Sequence, residues 1–222
     1  MDKEATRIER KAWAAEQRRE RIVEKAIKLF SKSDIDKIPM EEIAKASGYT
    51  VQNLYSYFPD KEDIFAAVLL NGLNTMLSAA REASDASGTG LEKILAIGEQ
   101  FFTFSLNNPK YFDLNLRFEK KYYVYHKKPA RAHQGDFIEK CHQLIDEMSD
   151  MIIEAIKTGL EDGSIKTNLD PKHLMLLLWA QIIGAIQVIL MRQKYFSDIY
   201  ELTTEAFLSE FKSLIQTYLS KR

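Results

Sequence analysis

The stretch from Pro39 to Lys61, PMEEIAKASGYTVQNLYSYFPDK, limits the fold more than any other part of the chain. Met40 to Ser47 is a short amphipathic segment that stops at Gly48. A second begins at Thr50, whose hydroxyl can cap the free N–H groups of a helix start. It runs through Val51-Gln52-Asn53-Leu54-Tyr55-Ser56-Tyr57-Phe58. Two short helices across a glycine-containing turn make a helix-turn-helix, whose second member is shaped to enter a DNA major groove. Leu54 and Phe58, four apart, share a face and are expected to pack on Ile43, Leu29 and Phe30. Val51, Gln52 and Asn53 are then left on an exposed first turn.

The flanking residues supply further helices and their boundaries. Arg18 to Ser31 carries Ile22, Ala26, Leu29 and Phe30 at i, i+4, i+7 and i+8, one buried helix face. Asp34 to Lys37 reads as a turn, and Pro39 suits a helix start. Asp60 caps a fourth helix that runs towards Ala83, with Glu62 and Asp63 in its first turn. Residues 1–17 are an extension, frayed or helical; residues 18–62 are the helix-turn-helix domain and residues 63–222 a larger helical body. In that body Ser84 to Gly90 is a linker, and Thr89 with Glu92 matches a capping box. Asn108-Pro109 and Asp170-Pro171 are cap-plus-proline pairs that open helices. Lys127 to Gly135 reads as a polar loop. Asp136 starts a long amphipathic helix that stops near Gly163, and Asp198 with Glu201 opens the last helix. With no convincing strand or repeat, the expected fold is all-α: a three-helix head and a larger helical body, about nine helices in all.

Composition adds a few exclusions. Hydrophobic residues at 45% and charged residues at 28% are enough for a packed core. The net charge of −1 gives no basic signature overall, but residues 1–61 hold 13 Lys/Arg against 11 Asp/Glu, and Arg7 to Arg21 hold six against three. The single cysteine, Cys141, excludes an internal disulfide and fits a reducing compartment. The N-terminus is charged and lacks an apolar signal segment, so a cytoplasmic location is expected. Cys141 and His142 are adjacent and point about 100° apart on a helix, so they do not make a metal pair. His126, His133 and His173 form no i, i+4 pair, and no metal site or cofactor is expected. There is no Gly-rich phosphate loop, nucleophile elbow or HExxH motif, which argues against an enzyme.

Residues 174–190, LMLLLWAQIIGAIQVIL, are apolar on nearly every side. The run is 17 residues long and contains Gln181 and Gln187, whereas a membrane span needs about 20 apolar residues, so a span is not expected. Such a helix must be covered by protein all round. The last helix adds Leu208, Phe211, Ile215 and Tyr218 at alternating spacings of three and four. Two helices with this much apolar surface predict a seam between two copies of the chain, through Leu178, Ile182, Ile186, Leu208, Phe211, Ile215 and Tyr218.

The pattern RRERIVEKAIKLF followed by MEEIAKASGYTVQNLYSYFPDKEDIFAAVL closely resembles the TetR (tetracycline repressor-like) family of transcriptional regulators. The match covers about residues 18–70. GLEDGSIKTNLDPKHLMLLLWAQIIGAI also looks like that family's dimerisation region. There are departures: Asp34 stands where the family usually has Gly, Pro39 where Ser or Thr caps, and Val51-Gln52 where small or basic residues open the recognition helix. Asp tolerates the left-handed turn, whereas the cap hydrogen bond at Pro39 is lost.

The resemblance implies a homodimeric repressor that binds a palindromic double-stranded operator and is released by a small, largely apolar or aromatic effector. An activator, an effector-independent DNA binder and a helical interaction scaffold are the alternatives. Gln52 and Asn53 can bond adenine edges and Val51 a thymine methyl. Tyr55, Tyr57, Thr50 and Lys61 are the implied phosphate contacts, with Arg18 and Arg19 where the chain enters the first helix. The implied effector pocket draws on Phe101, Phe104, Phe112, Phe118, Tyr122, Trp179 and Ile183, with Asn115, His142 and Gln187 supplying polarity.

Overall fold

The computed structural model describes residues 3–33, 35–122 and 136–220. Among these, every regular element is helical: α1 (Lys3–Phe30), α2 (Met40–Ser47), α3 (Val51–Tyr55), α4 (Lys61–Asp85), α5 (Gly90–Asn107), α6 (Pro109–Tyr122), α7 (Asp136–Glu161), α8 (Pro171–Arg192), α9 (Phe196–Tyr200) and α10 (Thr204–Ser220). Short 3-10 turns sit at Ile35–Lys37 and Gln193–Tyr195. The caps read from the sequence form as expected. Thr50 Oγ1 accepts from the Asn53 N–H at 3.2 Å, and Asp60 Oδ1 from the Asp63 N–H at 2.8 Å. Thr89 and Glu92 close a complete capping box, and Asp170 caps α8 with Pro171 behind it. Pro39 precedes α2 with no side-chain cap bond.

Two boundaries differ from the sequence reading, and two stretches that it left open take a definite form. The extension is helix: α1 is continuous from Lys3. The second helix of the motif is only Val51–Tyr55, because Ser56 to Asp60 leave the helix on the way to α4. The last helix does not start at Asp198–Glu201. Those residues belong to α9 and its left-handed stop at Glu201 (φ 51°), and α10 begins after Thr203, whose hydroxyl accepts from the Ala206 N–H. The apolar run also lies in a longer helix than its 17 residues suggest. Residues 171–200 are long and apolar enough to cross a membrane by length and composition, as is α4, which is mostly buried. Asp34, the Lys127–Gly135 loop, His126 and His133 lie outside the described residues.

The chain packs as two units, and they do not divide at residue 62. One comprises residues 1–73 and 113–143, the other 74–112 and 144–222. The first unit is tied by specific polar bonds around an apolar core of Ile22, Ala26, Phe30, Ile43, Leu54 and Phe58. Arg117 makes a two-pronged ion pair with Asp36 at 2.9 and 2.6 Å, and its hydrogen bond holds the Asp36 carboxyl below the usual range. Phe137 brings its ring within 5.5 Å of Phe58 and its N–H to the buried Asp63.

In the second unit, α5 starts against the end of α7. A Cβ on Gly90 would stand 2.0 Å from the Gly159 nitrogen, so only glycine permits this approach. The contact brings the Gly90 N–H to Asp162 at 2.8 Å and the Leu91 N–H to Ser164 at 3.1 Å. Free donors of the helix start are thereby satisfied from another element.

Candidate nucleic-acid interface

The head displays its second helix by burying one side of it. Leu54 and Phe58 are fully buried, as is Ile43, so α3 has a single allowed orientation. Gly48 makes the turn possible: it adopts φ +78°, and its N–H and that of Tyr49 close α2. With Leu54 inward, Gln52, Asn53 and Tyr55 are exposed and Val51 is half-buried. Tyr55 keeps 53% of its surface accessible. This is the arrangement expected for side chains that meet a groove.

Individual roles divide. Thr50 is occupied twice, accepting from the Asn53 N–H and donating its hydroxyl to Asn53 Oδ1 at 2.8 Å. Asn53 therefore has its carbonyl engaged, and a two-bond contact to adenine requires giving that bond up. Gln52, exposed on the same turn, carries no such commitment among the bonds described. Tyr57 accepts from Arg18 Nη1 at 3.2 Å, with its ring 6.3 Å from that of Tyr49. Its own O–H remains a donor. Arg21 lies on the same side, its Nη2 3.8 Å from where a Gly48 Cβ would stand.

Of the expected phosphate contacts, Lys61 is corrected and Arg19 has a partner within its own helix. Lys61 does not point outward from the start of α4: its ammonium donates to the carbonyls of Ile35 (2.9 Å), Asp36 (3.4 Å) and Ile38 (3.1 Å). An ammonium has three protons, and these carbonyls absorb them. Lys61 is a clamp on the turn before α2. Arg19 is half-buried and paired with Glu16 at 3.3 Å, because one step along the helix carries it about 100° from Arg18.

The residues expected in an effector pocket are spread over both units. In the second unit, Phe101 sits against the half-buried Trp179 at 4.9 Å, Phe104 against Tyr111 at 6.0 Å, and Phe112 is buried. Ile183 is half-buried and Gln187 is exposed, so Gln187 supplies no buried polarity. In the first unit, Phe118 is fully buried with the His142 ring at 5.0 Å, and Asn115 is buried with no partner for its Oδ1. The Tyr122 side chain lies outside the described residues. Cys141 is buried, donating to the Ala66 carbonyl at 3.2 Å; burial and then Asp63 push its thiol pKa upward, away from reactivity.

A cavity of about 400 Å³ does exist in the second unit, between α5, α8 and α10. Ile94, Phe102, Leu178, Ile182, Leu208 and Phe211 form its apolar wall, and Glu99 with Lys212, an ion pair of 2.6 Å, stands at it. Five residues assigned to the seam between copies line this space: Leu178, Ile182, Leu208, Phe211 and Ile215, of which Phe211 and Ile215 also line a shallow outer groove with Tyr218. Ile186 is fully buried. Of the expected set, Tyr218 alone is exposed. The apolar face left open carries Leu176, Leu177, Val188 and Met191 on α8 and Leu214 beside Tyr218 on α10. An all-apolar helix has no periodicity from which its outer side can be read, which is why the α8 residues named from the sequence, Leu178, Ile182 and Ile186, are not those on its open face.

Known proteins match both the module and the fold. Residues 22–68 match the family model described as bacterial regulatory proteins, tetR family. A helix-turn-helix-type transcriptional regulator of Staphylococcus aureus is 31% identical over 90 residues, 40% of this chain and 49% of that protein. The chain thus spans about half the length of that relative. The transcriptional regulator RutR of Escherichia coli K12 is 25% identical over 177 residues, 77% of this chain and 74% of RutR. Among solved structures, the ketosteroid transcriptional regulator KstR2 of Mycobacterium tuberculosis superposes with a TM-score of 0.65 at 15% identity, covering 92% of this chain and 96% of that one. The regulator FadR of Bacillus subtilis, solved in complex with stearoyl-CoA, gives 0.64 at 15%, covering 90% and 97%. Residues 22–68, with the helix-turn-helix built as described, thus form a module of the tetR type, carried on a helical fold that the solved regulators share.

Proposed function

We propose that this chain is a ligand-responsive repressor that binds a palindromic DNA operator as a homodimer in the cytoplasm. One observation carries the DNA reading: Val51, Gln52 and Tyr55 stand outward on a helix whose other side is locked by the fully buried Leu54. Gln52 reads a base edge, Val51 touches a thymine methyl, and Tyr55, Tyr57 and Arg18 hold phosphates. Thr50 and Asn53 set the start of the helix and meet the groove through what their mutual bond leaves free.

A second copy covers the exposed apolar face. Gln181, Gly184 and Val188 of α8 and Leu214 and Tyr218 of α10 line one shallow groove, and an apolar face of this extent calls for a protein or lipid partner. The exposed Gln181 and Gln187 on α8 favour protein. Two recognition helices then address successive major grooves, about 34–36 Å apart for half-sites one turn apart.

The effector is small and largely apolar, and the α5–α8–α10 cavity offers it room. KstR2, by its name a ketosteroid regulator, and FadR, bound to stearoyl-CoA, lend support from similar folds. Such a ligand releases DNA only by preferring the state whose heads no longer fit the operator.

Selection of bound duplexes from a random pool tests the reading. An inverted repeat is expected, and recovery of no preferred sequence overturns it. A thermal-shift screen follows, in which a hit must both stabilise the protein and release the selected duplex.

A further inference from the structure

Resolved as one helix, α1 sorts its charges by face. At about 100° per residue, Arg7, Arg10, Lys11, Arg18 and Arg21 fall within an arc of about 100°. Glu9, Glu16, Glu20 and Glu24 fall together on the other exposed side, in an arc of about 80°. The buried Ile22, Ala26 and Phe30 lie between the two and turn the third side to the core. All five basic side chains are exposed. The sequence count of six basic and three acidic residues from Arg7 to Arg21 hides this separation.

The lower end of the basic stripe is already at the candidate DNA face. Arg18 bonds the Tyr57 hydroxyl, and Arg21 lies beside Gly48 in the turn that leads to α3. Arg7, Arg10 and Lys11 continue the same line away from that face. From Arg21 to Arg7 the helix rises about 21 Å at 1.5 Å per residue. Duplex DNA carries a phosphate on each strand at every base pair, so a track of this length spans several phosphates.

We propose that the N-terminal part of α1 is a second DNA-contacting element, which lays Arg7, Arg10 and Lys11 along the phosphate backbone outside the half-site. It adds affinity and footprint length without sequence preference, since phosphates carry no base information. This inference rests on the DNA-binding reading above. Charge complementarity and continuity with Arg18 and Arg21 single out a nucleic-acid backbone as the occupant.

The test measures binding to the selected duplex, with at least ten flanking base pairs, across a salt series. Two full-length variants are compared with the parent: Arg7→Gln/Arg10→Gln/Lys11→Gln, and the charge-retaining Arg7→Lys/Arg10→Lys/Lys11→Arg. Each lost phosphate contact removes about 0.9 from the slope of log K against log salt. The expected result is a slope shallower by about 2–3 for the glutamine variant, a shorter footprint, an unchanged preferred sequence and a parental slope for the charge-retaining variant. Parental slopes in both variants, or equal losses in both, overturn the proposal. Absence of any preferred sequence for the parent chain is a different result, and overturns the DNA-binding reading itself.

Discussion

Helices α3 and α8 both leave side chains in the open, for opposite physical reasons. In α3, five residues long, the buried Leu54 fixes the orientation, and the exposed side is polar or aromatic with hydroxyl and amide groups ready for partners. In α8, 22 residues long, apolar side chains point both inward and outward, and the outward ones have no polar use. A surface like that of α3 can wait in water for a ligand at little cost. The face of α8 costs free energy for as long as water covers it. Affinity at the first is therefore tunable by single side chains, whereas the second calls for a permanent partner.

The most damaging test of this contrast removes the anchor. Leu54→Ala should cost about 2–5 kcal/mol, the range for deleting a buried leucine, and abolish duplex binding. Thermal melting and gel retardation read both effects. A variant that melts like the parent and still binds would show that α3 is held by something else. Next in size is a charge on the open apolar face: Val188→Glu should convert a dimer to monomers at micromolar concentration in analytical ultracentrifugation, with little change in helix content. A parent chain that is itself monomeric there would remove the proposed seam. A subtler change is Gln52→Ala, expected to forfeit about 1–3 kcal/mol of discrimination at one base pair per half-site while leaving the salt slope intact. Repeating the duplex selection with that variant shows whether one position relaxes.

The smallest expected effect is with acid. Hydrogen bonds from Arg117 to Asp36, and from Ser164 and Gly90 to Asp162, lower both carboxyl pKa values on folding. A lowered folded pKa means stability that is present above the unfolded value of about 3.9 and lost as pH falls through the folded value. Asp36→Asn and Asp162→Asn should therefore lower the melting temperature slightly at neutral pH and flatten its fall below about pH 4, where parent and variants converge. An equal drop for the parent and both variants would contradict the assignment.

What could be read in advance was local. Thr50, Asp60, the Thr89–Glu92 pair and Asp170 act on N–H groups two or three residues away, so sequence spacing alone locates them. Gly48 was legible for the same reason. Lys61 was not, because its partners Ile35 and Ile38 lie more than 20 residues back and meet it only in the folded head. The same holds for Asp162, which reaches Gly90 across 72 positions. In α8 the failure was of pattern: Ile186 inside and Val188 outside are two apolar residues that no periodicity tells apart. The charge faces of α1 were invisible for a simpler reason. They exist only if the first turns are helical, and nothing in residues 1–17 required that.

The two tryptophans of the chain happen to report on different parts of it. Trp13 projects from the early turns of α1 with 68% of its surface in water, while Trp179 is half-buried, tilted against Phe101, in the other unit. An indole in water emits at longer wavelength than one shielded by aromatic neighbours, so the intrinsic fluorescence should separate into a red and a blue component. Replacing either by phenylalanine leaves a single-site optical probe: one for duplex arriving at the extension, the other for a molecule entering the helical body. The chain carries the means to watch both events without a dye.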